Sequence, residues 1–403
     1  MLSLLIISTQ LFMENNDKRK LEGRSVPNEW IYNCLSTNDW DQIISEFHNS
    51  KMEQFVMTSY WCKIQVTAER FYNMQSRLND LFEPYIGIKN AETAIPLECL
   101  RIIILEMSTE KLKDVFQNVG EENFQFQKNE YTYMNMDITY RSILNETVLY
   151  LSSRFDLVIL INKKLNSIII LGDNDRILLK AARITIRDYY YLSLVENGWV
   201  ELRASAYVDE FGKANLYIGE SNSGKTTLLI NALSKEKNNF MANGRVFIKV
   251  ENGKLYAVGT PESIALRGFT YELFSQFIDL KEEFINANKE NKRLKLSLKD
   301  FCKYLRTRIT VTGEVDYIVL AKLENITTVD EIDKYLLYEY IEKTDIYGIS
   351  RLKERYWLNI FTYNEKRYME NVQEIRNALK ITCKNIAYRD NEGICMFKKQ
   401  MEA

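Results

Sequence analysis

A mixed fold, α+β or α/β, is predicted for this chain by three observations. Short apolar runs bounded by turn residues crowd the middle of the sequence. Charged and aromatic stretches with apolar residues at helical spacing occupy both ends. Between them, one glycine-rich turn joins an apolar run to a helix-like run. These features divide the chain into a helical N-terminal region over 1–97, a strand-rich module over 98–185, a core around the glycine-rich turn over 186–325 and a helical C-terminal region over 326–403.

Length and composition fit that division. Two or three domains are expected of 403 residues, and 46% apolar residues suffice for sizeable cores. Lys+Arg at 53 against Asp+Glu at 55 leaves a net charge of −2, so bulk charge makes no case for nucleic acid. Six cysteines are scattered with no C-x-x-C pair, the pattern of free thiols in a reducing compartment. The single histidine, His48, argues against a histidine zinc site or a Ser-His-Asp triad. The apolar N-terminus, Met1 to Ile7, has no basic flank or cleavage site, and no run reaches transmembrane length. A cytoplasmic protein with no membrane partner is expected.

Taken in order, Trp40 to Phe55 and Thr67 to Phe82 show helical spacing, and Pro84 and Pro96 close this region. Leu100 to Leu105, Tyr131 to Ile138, Leu157 to Ile161 and Ser167 to Leu171 read as strands, the last two joined as a hairpin by Asn162 to Asn166. Arg187 to Val195 reads as a helix ending near Gly198, followed by one strand from Trp199 to Val208. Asp209 to Lys213 turns the chain into the strand Ala214 to Ile218, and Thr227 to Leu233 is the next helix. Phe240 to Val250 and Leu255 to Val258 form a hairpin around Asn252-Gly253, the dipeptide that best fits a tight two-residue turn. Asp316 to Leu320 is a buried strand, and the chain from Glu331 onward is mostly helical.

The chemistry concentrates in Gly219-Glu220-Ser221-Asn222-Ser223-Gly224-Lys225-Thr226, which fits the phosphate-loop pattern G-x-x-x-x-G-K-[ST]. Glycines let the backbone approach a phosphate and turn its N–H groups inward. The following helix N-terminus favours negative charge. Gly219 through Thr227 are the expected nucleotide-binding residues, with Lys225 on the outer phosphates and the Thr226 hydroxyl on Mg²⁺. ATP and Mg²⁺ are therefore the expected cofactors.

Most phosphate-loop proteins place a carboxylate at the tip of a second apolar strand. The strand Asp316 to Leu320 instead leads into Ala321-Lys322-Leu323. The short loop helix followed directly by a hairpin resembles the HPr kinase/phosphorylase family, whose nucleotide core is similar to that of phosphoenolpyruvate carboxykinase. Three segments carry the resemblance. Trp199 to Ala206 looks like the family strand ending in His-Ala-Ser/Ala, Gly219 to Thr227 matches its phosphate loop, and Met241 to Val246 looks like its Ala-Asp-Asp-Arg-Val segment. Asn243 lies 24 residues after Gly219, close to the family spacing, and Gly259-Thr260-Pro261-Glu262 fits its Gly-x-Pro turn. The likeness covers about residues 150 to 325.

The resemblance implies an ATP-dependent kinase acting on a serine-bearing protein or peptide, including relatives that modify small peptide natural products. In the family, paired aspartates bind Mg²⁺ and act as the base; Asn243 and Gly244 stand at those positions here. An Asn carbonyl can ligate a metal but takes no proton at neutral pH, and Gly does neither. Arg203 replaces the family histidine and is suited to contact phosphate. The expected catalytic positions are thus Glu220, Asn243 and Arg203, the expected metal positions Thr226 and Asn243, and Glu220 and Asp209 are the substitute carboxylates. One alternative is a nucleotide-binding protein without kinase chemistry whose ATP site governs partner binding. The other is an unrelated phosphate-loop NTPase. An oligomer is compatible with either.

Overall fold

The computed structural model describes residues 52–69, 73–90, 99–106, 127–128, 140–144, 147–152, 157–219, 222–234, 237–268, 270–321, 352, 355–358, 360–382 and 388–389. They form a mixed α+β structure built on two large sheets. The strand expected over Tyr131 to Ile138, the helix start at Trp40 and His48 lie outside these residues.

The first sheet has nine strands: β1 (Met52–Thr58), β2 (Lys63–Glu69), β3 (Gly87–Asn90), β4 (Leu100–Glu106), β5 (Gln127–Lys128), β6 (Tyr140–Leu144), β7 (Thr147–Ser152), β8 (Leu157–Asn162) and β9 (Ser167–Gly172). Their order is β3-β1-β2-β4-β9-β8-β7-β6-β5. The pairs β2–β4 and β4–β9 are parallel, whereas β8–β9 is the antiparallel hairpin expected from the sequence. Every residue of β8 and β9 is buried, as continuous Ile, Leu and Val runs require. Helix α1 (Met74–Phe82) packs beside α2 (Asp175–Glu196), tied by an Arg77–Asp175 ion pair of 3.0 Å.

Residues 52–69 correct the expectation of a helical N-terminal region. Phe55 and Met57 are buried while Gln54, Val56 and Thr58 face outward, a period of two. β2 then finds a parallel partner in β4, a pairing that a sequence window cannot register. Helix α2 is also longer than expected. It starts at Asp175, where the Asn174 side chain accepts from the Arg176 N–H, and it ends before Gly198 at φ 86°.

The second sheet contains β10 (Val200–Leu202), β11 (Ala204–Val208), β12 (Lys213–Ile218), β13 (Asn239–Ala242), β14 (Val246–Glu251), β15 (Lys254–Val258) and, beyond the pair β16 (Ile264–Leu266) and β17 (Leu294–Leu296), β18 (Thr312–Ala321). Its order is β10-β14-β15-β18-β12-β11-β13, and β19 (Tyr388–Arg389) pairs with β18. The single strand expected from Trp199 to Val208 is broken at Arg203, and its halves part: β10 lies at one end of this path and β11 next to the other end. Only Arg203 separates them, so the sheet must curl to bring those ends together. The strand expected from Phe240 to Val250 is likewise broken at Asn243 to Arg245, with Gly244 at φ 97°. Its first half pairs with β11, and only its second half makes the hairpin with β15. The turn of that hairpin has Asn252 at φ 52° and Gly253 at φ 75°, as the Asn-Gly dipeptide predicts.

Helix α3 (Lys225–Leu233) follows β12, and α4 (Thr270–Leu273), α5 (Lys281–Lys289) and α6 (Leu298–Leu305) surround the β16–β17 pair. Helix α7 (Glu365–Thr382) agrees with the helical C-terminal expectation, while the pairing of Tyr388–Arg389 with β18 departs from it. Among the described residues no helix is long and apolar enough to cross a membrane.

Candidate functional site

The glycine-rich turn sits where its sequence requires, at the end of β12 and the start of α3. Gly219 has φ 149°, and a Cβ there would lie 2.5 Å from Ser223 Oγ and 2.7 Å from the Ala321 carbonyl oxygen. The close approach of β18, parallel to β12 with Leu320 opposite Ile218, therefore demands glycine. Asn222 at φ 74° and Gly224 at φ 94° continue the left-handed path into the helix. No side chain caps α3, so the N–H groups of its first turn carry no side-chain acceptor at Gly224. Glu220 and Ser221 lie outside the described residues.

The side chains on this turn converge. Lys225 Nζ donates to the Gly219 carbonyl at 2.7 Å and lies 3.5 Å from Ser223 Oγ, placing the ammonium over the loop. Thr226 Oγ1 donates to Asn243 Oδ1 at 3.0 Å, and Ser205 Oγ donates to the same oxygen at 2.7 Å. Asn243 thus stands beside Thr226, as its spacing from Gly219 predicts. Thr227 is half-buried on the first turn of the helix. Arg203 follows in register one step beyond the Ala204–Ile218 pair, which puts it at the loop end of the sheet.

Asp209 is not brought to the loop. It closes the β11–β12 turn at the far end of β12, accepting from the Phe211 and Lys213 N–H groups at 3.0 and 2.9 Å. Its carboxylate serves that turn, which removes it from the substitutes for the missing aspartates.

The loop after β13 is braced from behind. A Cβ on Gly259 would sit on the Met241 carbonyl oxygen and 2.8 Å from the Tyr85 ring, so this glycine is required by close backbone approach. The Thr260 hydroxyl donates to the Arg245 carbonyl at 2.8 Å. Arg245 Nη1 contacts Glu262 Oε1 at 2.6 Å, and its Nε contacts Glu201 Oε1 at 3.0 Å. Arg355 grips both oxygens of Glu201, Tyr191 OH donates to Glu262 at 2.8 Å, and Arg187 pairs with Asp188 at 2.9 Å and with Glu262 at 4.0 Å. Trp357 Nε1 donates to the other Asp188 oxygen at 3.0 Å.

Burial alone pushes the Glu262 carboxyl up. The Arg187 and Arg245 guanidiniums overcome that and hold it down at about 2. The Glu201 carboxyl is also lowered, because Arg355 and Arg245 outweigh its burial. Three guanidiniums and three carboxylates are thereby in mutual contact behind the Asn243 turn.

Sequence reasoning missed Ser205, Arg293 and this ion cluster. Ser205 left a signal, a buried polar residue inside an apolar strand. Arg293 left none, since Glu290-Asn291-Lys292-Arg293 reads as a solvated turn; its Nη2 donates to Asn222 Oδ1 at 3.0 Å. A cavity of about 740 Å³ lined by Ser234, Lys237, Asn238, Gln276 and Tyr304 lies at the C-terminal end of α3, away from the loop. Cys62, Cys99 and Cys302 are free and buried. Among the described residues no three His, Cys, Asp or Glu side chains gather as a metal site.

No protein-family model matches this chain, and no curated protein matches it.

Proposed function

We propose that this protein binds Mg-ATP at the Gly219–Thr227 loop in an HPr-kinase-like arrangement and turns it over slowly. One observation carries the reading: Asn243, and no described carboxylate, shares its side-chain oxygen with Thr226 and Ser205 beside the loop. The Thr226 and Asn243 oxygens are 3.0 Å apart. Two adjacent ligands of an octahedral Mg²⁺, each at roughly 2.1 Å, stand about 3 Å from one another. The pair therefore fits Mg²⁺, and the bound ion would neutralise charge on the outer phosphates. Lys225 supplies a fixed cation over the loop, and the uncapped start of α3 supplies N–H donors.

Proton removal from an acceptor hydroxyl is the part that is poorly supplied. Asn243 accepts hydrogen bonds but cannot hold a proton at neutral pH. Without a positioned base, a factor of roughly 10² to 10⁴ in rate is forgone. A nucleotide-binding protein whose ATP site governs partner binding follows most directly from that chemistry.

The second reading is ATP-dependent phosphorylation of a serine-bearing protein or peptide. The position of Glu220 inside the loop favours it, because phosphoryl transfer rests mainly on positioning and charge and asks little more than one carboxylate.

The binding reading is tested by thermal unfolding with and without Mg-ATP. The native protein should be stabilised, since a ligand that binds only the folded state raises the midpoint. Lys225→Ala should lose most of that shift. Equal shifts in the two proteins would overturn the loop assignment.

A further inference from the structure

We infer that Arg293 is a phosphate-contacting residue of the loop site, delivered from outside the loop, and that it makes the site prefer a nucleoside triphosphate over a diphosphate. The inference rests on the Mg-ATP reading above and adds a specificity residue to it.

Arg293 is fixed at its backbone, and among the described residues its head meets Asn222. It directly precedes β17, whose Leu294 and Leu296 pair with Leu266 and Ile264 of β16. Ile264, Leu266 and Leu296 are buried, and Phe284 of α5 and Phe301 of α6 belong to the same core. The chain reaches Arg293 through Asn291, at φ 51°, and Lys292, whose ammonium pairs with Glu290. From this anchored position the guanidinium crosses to the loop and donates to Asn222 Oδ1 at 3.0 Å. Among the described residues that is its one hydrogen bond. A guanidinium carries five N–H donors in a planar fork suited to phosphate oxygens, and among the described residues one donor is engaged.

The last phosphate is the one group that a triphosphate has and a diphosphate lacks, and it is the group assigned to Arg293. The loop backbone and the α3 N-terminus face the inner phosphates, and Lys225 reaches the outer ones. Arg293 comes from a separate element onto Asn222, an exposed residue of the loop. Together with Lys225 and Arg203, it gives the loop end of the sheet three cations from three separate elements.

The test measures ATP and ADP affinity by titration calorimetry in Mg²⁺ buffer for the native full chain and for Arg293→Ala, Arg293→Lys, Asn222→Gly and Lys225→Ala. Arg293 and Asn222 are exposed, so these variants should fold; circular dichroism checks this. Arg293→Ala should weaken ATP binding roughly 10- to 100-fold, the worth of one charge-assisted contact, and change ADP binding less than about threefold. Arg293→Lys should recover only part of the loss, because it keeps the charge without the fork. Asn222→Gly preserves the left-handed backbone and removes the amide; any loss it causes should fall on ATP and ADP alike, without the ATP-selective loss of Arg293→Ala.

Arg293→Ala binding ATP as tightly as the native chain, while Lys225→Ala does not, would overturn this inference alone. Equal losses of ATP and ADP in Arg293→Ala and Asn222→Gly would reduce Arg293 to a brace for Asn222 and also overturn it. Binding of neither nucleotide by the native chain would remove the Mg-ATP reading and this inference together.

Discussion

Replacing Glu262 by Gln should destabilise the protein by about 3 kcal/mol at neutral pH and remove part of its acid sensitivity. The Glu262 carboxyl is held at about 2 against an ordinary 4.5. At 1.36 kcal/mol per pH unit, that gap corresponds to roughly 3 kcal/mol. The side chain is 21% exposed, so solvent trims this figure without erasing it. Glutamine keeps the shape and the acceptor for Tyr191 but leaves Arg187 and Arg245 short of one anion, and breaking a buried pair on one side costs roughly 3–5 kcal/mol. The sign follows from the direction of the shift. A carboxyl lowered in the folded state stabilises fully above about pH 4.5 and loses that contribution as pH falls towards 2. Native protein and variant should therefore differ most at pH 7, keep somewhat under half of that difference at pH 3 and converge only as pH falls below about 2. Glu201 is also lowered by Arg355 and Arg245, and losing the Glu262 charge, which opposes that shift, lowers it further, so the variant keeps the acid sensitivity that Glu201 contributes. Urea midpoints by tryptophan fluorescence at pH 7, 5 and 3 measure the difference. Equal midpoints at pH 7, or a gap that does not shrink in acid, would refute the reasoning.

Asn243→Asp keeps the acceptor for both hydroxyls and adds a group able to take a proton, so ATP turnover should rise by roughly 10²- to 10⁴-fold with nucleotide affinity little changed. A steady-state phosphate-release assay reads this, and an unchanged rate would mean that a missing base is not what slows the protein. Gly259→Ala pushes a methyl group into the Met241 carbonyl, a backbone atom with nowhere to go. Overpacking of this kind costs roughly 1–3 kcal/mol, and the melting midpoint should fall by several degrees. A midpoint equal to the native one would show that the Met241 strand and the Gly259 turn are less closely packed than described.

What the sequence made legible was local. The run from Ala214 through Leu233 carries strand, turn and helix signals in immediate succession, and its boundaries are met within two residues. The Asn252-Gly253 turn and the β8–β9 hairpin are equally local. The failures are those where a distant partner decides. β2 is a strand because β1 and β4 flank it, and the helical spacing that begins at Thr67 near its end is incidental there. The breaks at Arg203 and at Asn243 to Arg245 arise because the chain changes neighbours there, from β14 to β12 in one case and from β11 to β15 in the other. A run of apolar residues carries no mark of that change beyond a glycine at position 244. At the site, Asn243 was legible from its distance to the loop, whereas Arg293 lies 71 residues from the Asn222 it touches.

The ion cluster explains why carboxylates near this loop do not amount to a catalytic base. Glu201 lies two residues before Arg203, and Glu262 closes the Gly259-Thr260-Pro261-Glu262 turn. Each is already engaged: Glu201 by Arg355 and Arg245, Glu262 by Arg245, Arg187 and Tyr191. Both carboxyls are held below their ordinary range, which makes them poor proton acceptors at neutral pH. Their work is geometric. By fixing Arg245 from two sides they set the path of the turn that begins at Asn243, and the Ser205 and Thr226 hydroxyls fix its side chain. Aspartate at 243 would add a carboxylate at a position where both local bonds already suit an acceptor, without drawing on the cluster. Borrowing Glu201 or Glu262 would leave buried guanidiniums unpaired. The cheapest route to a base beside Thr226 is therefore the one-atom change from amide to carboxylate at residue 243.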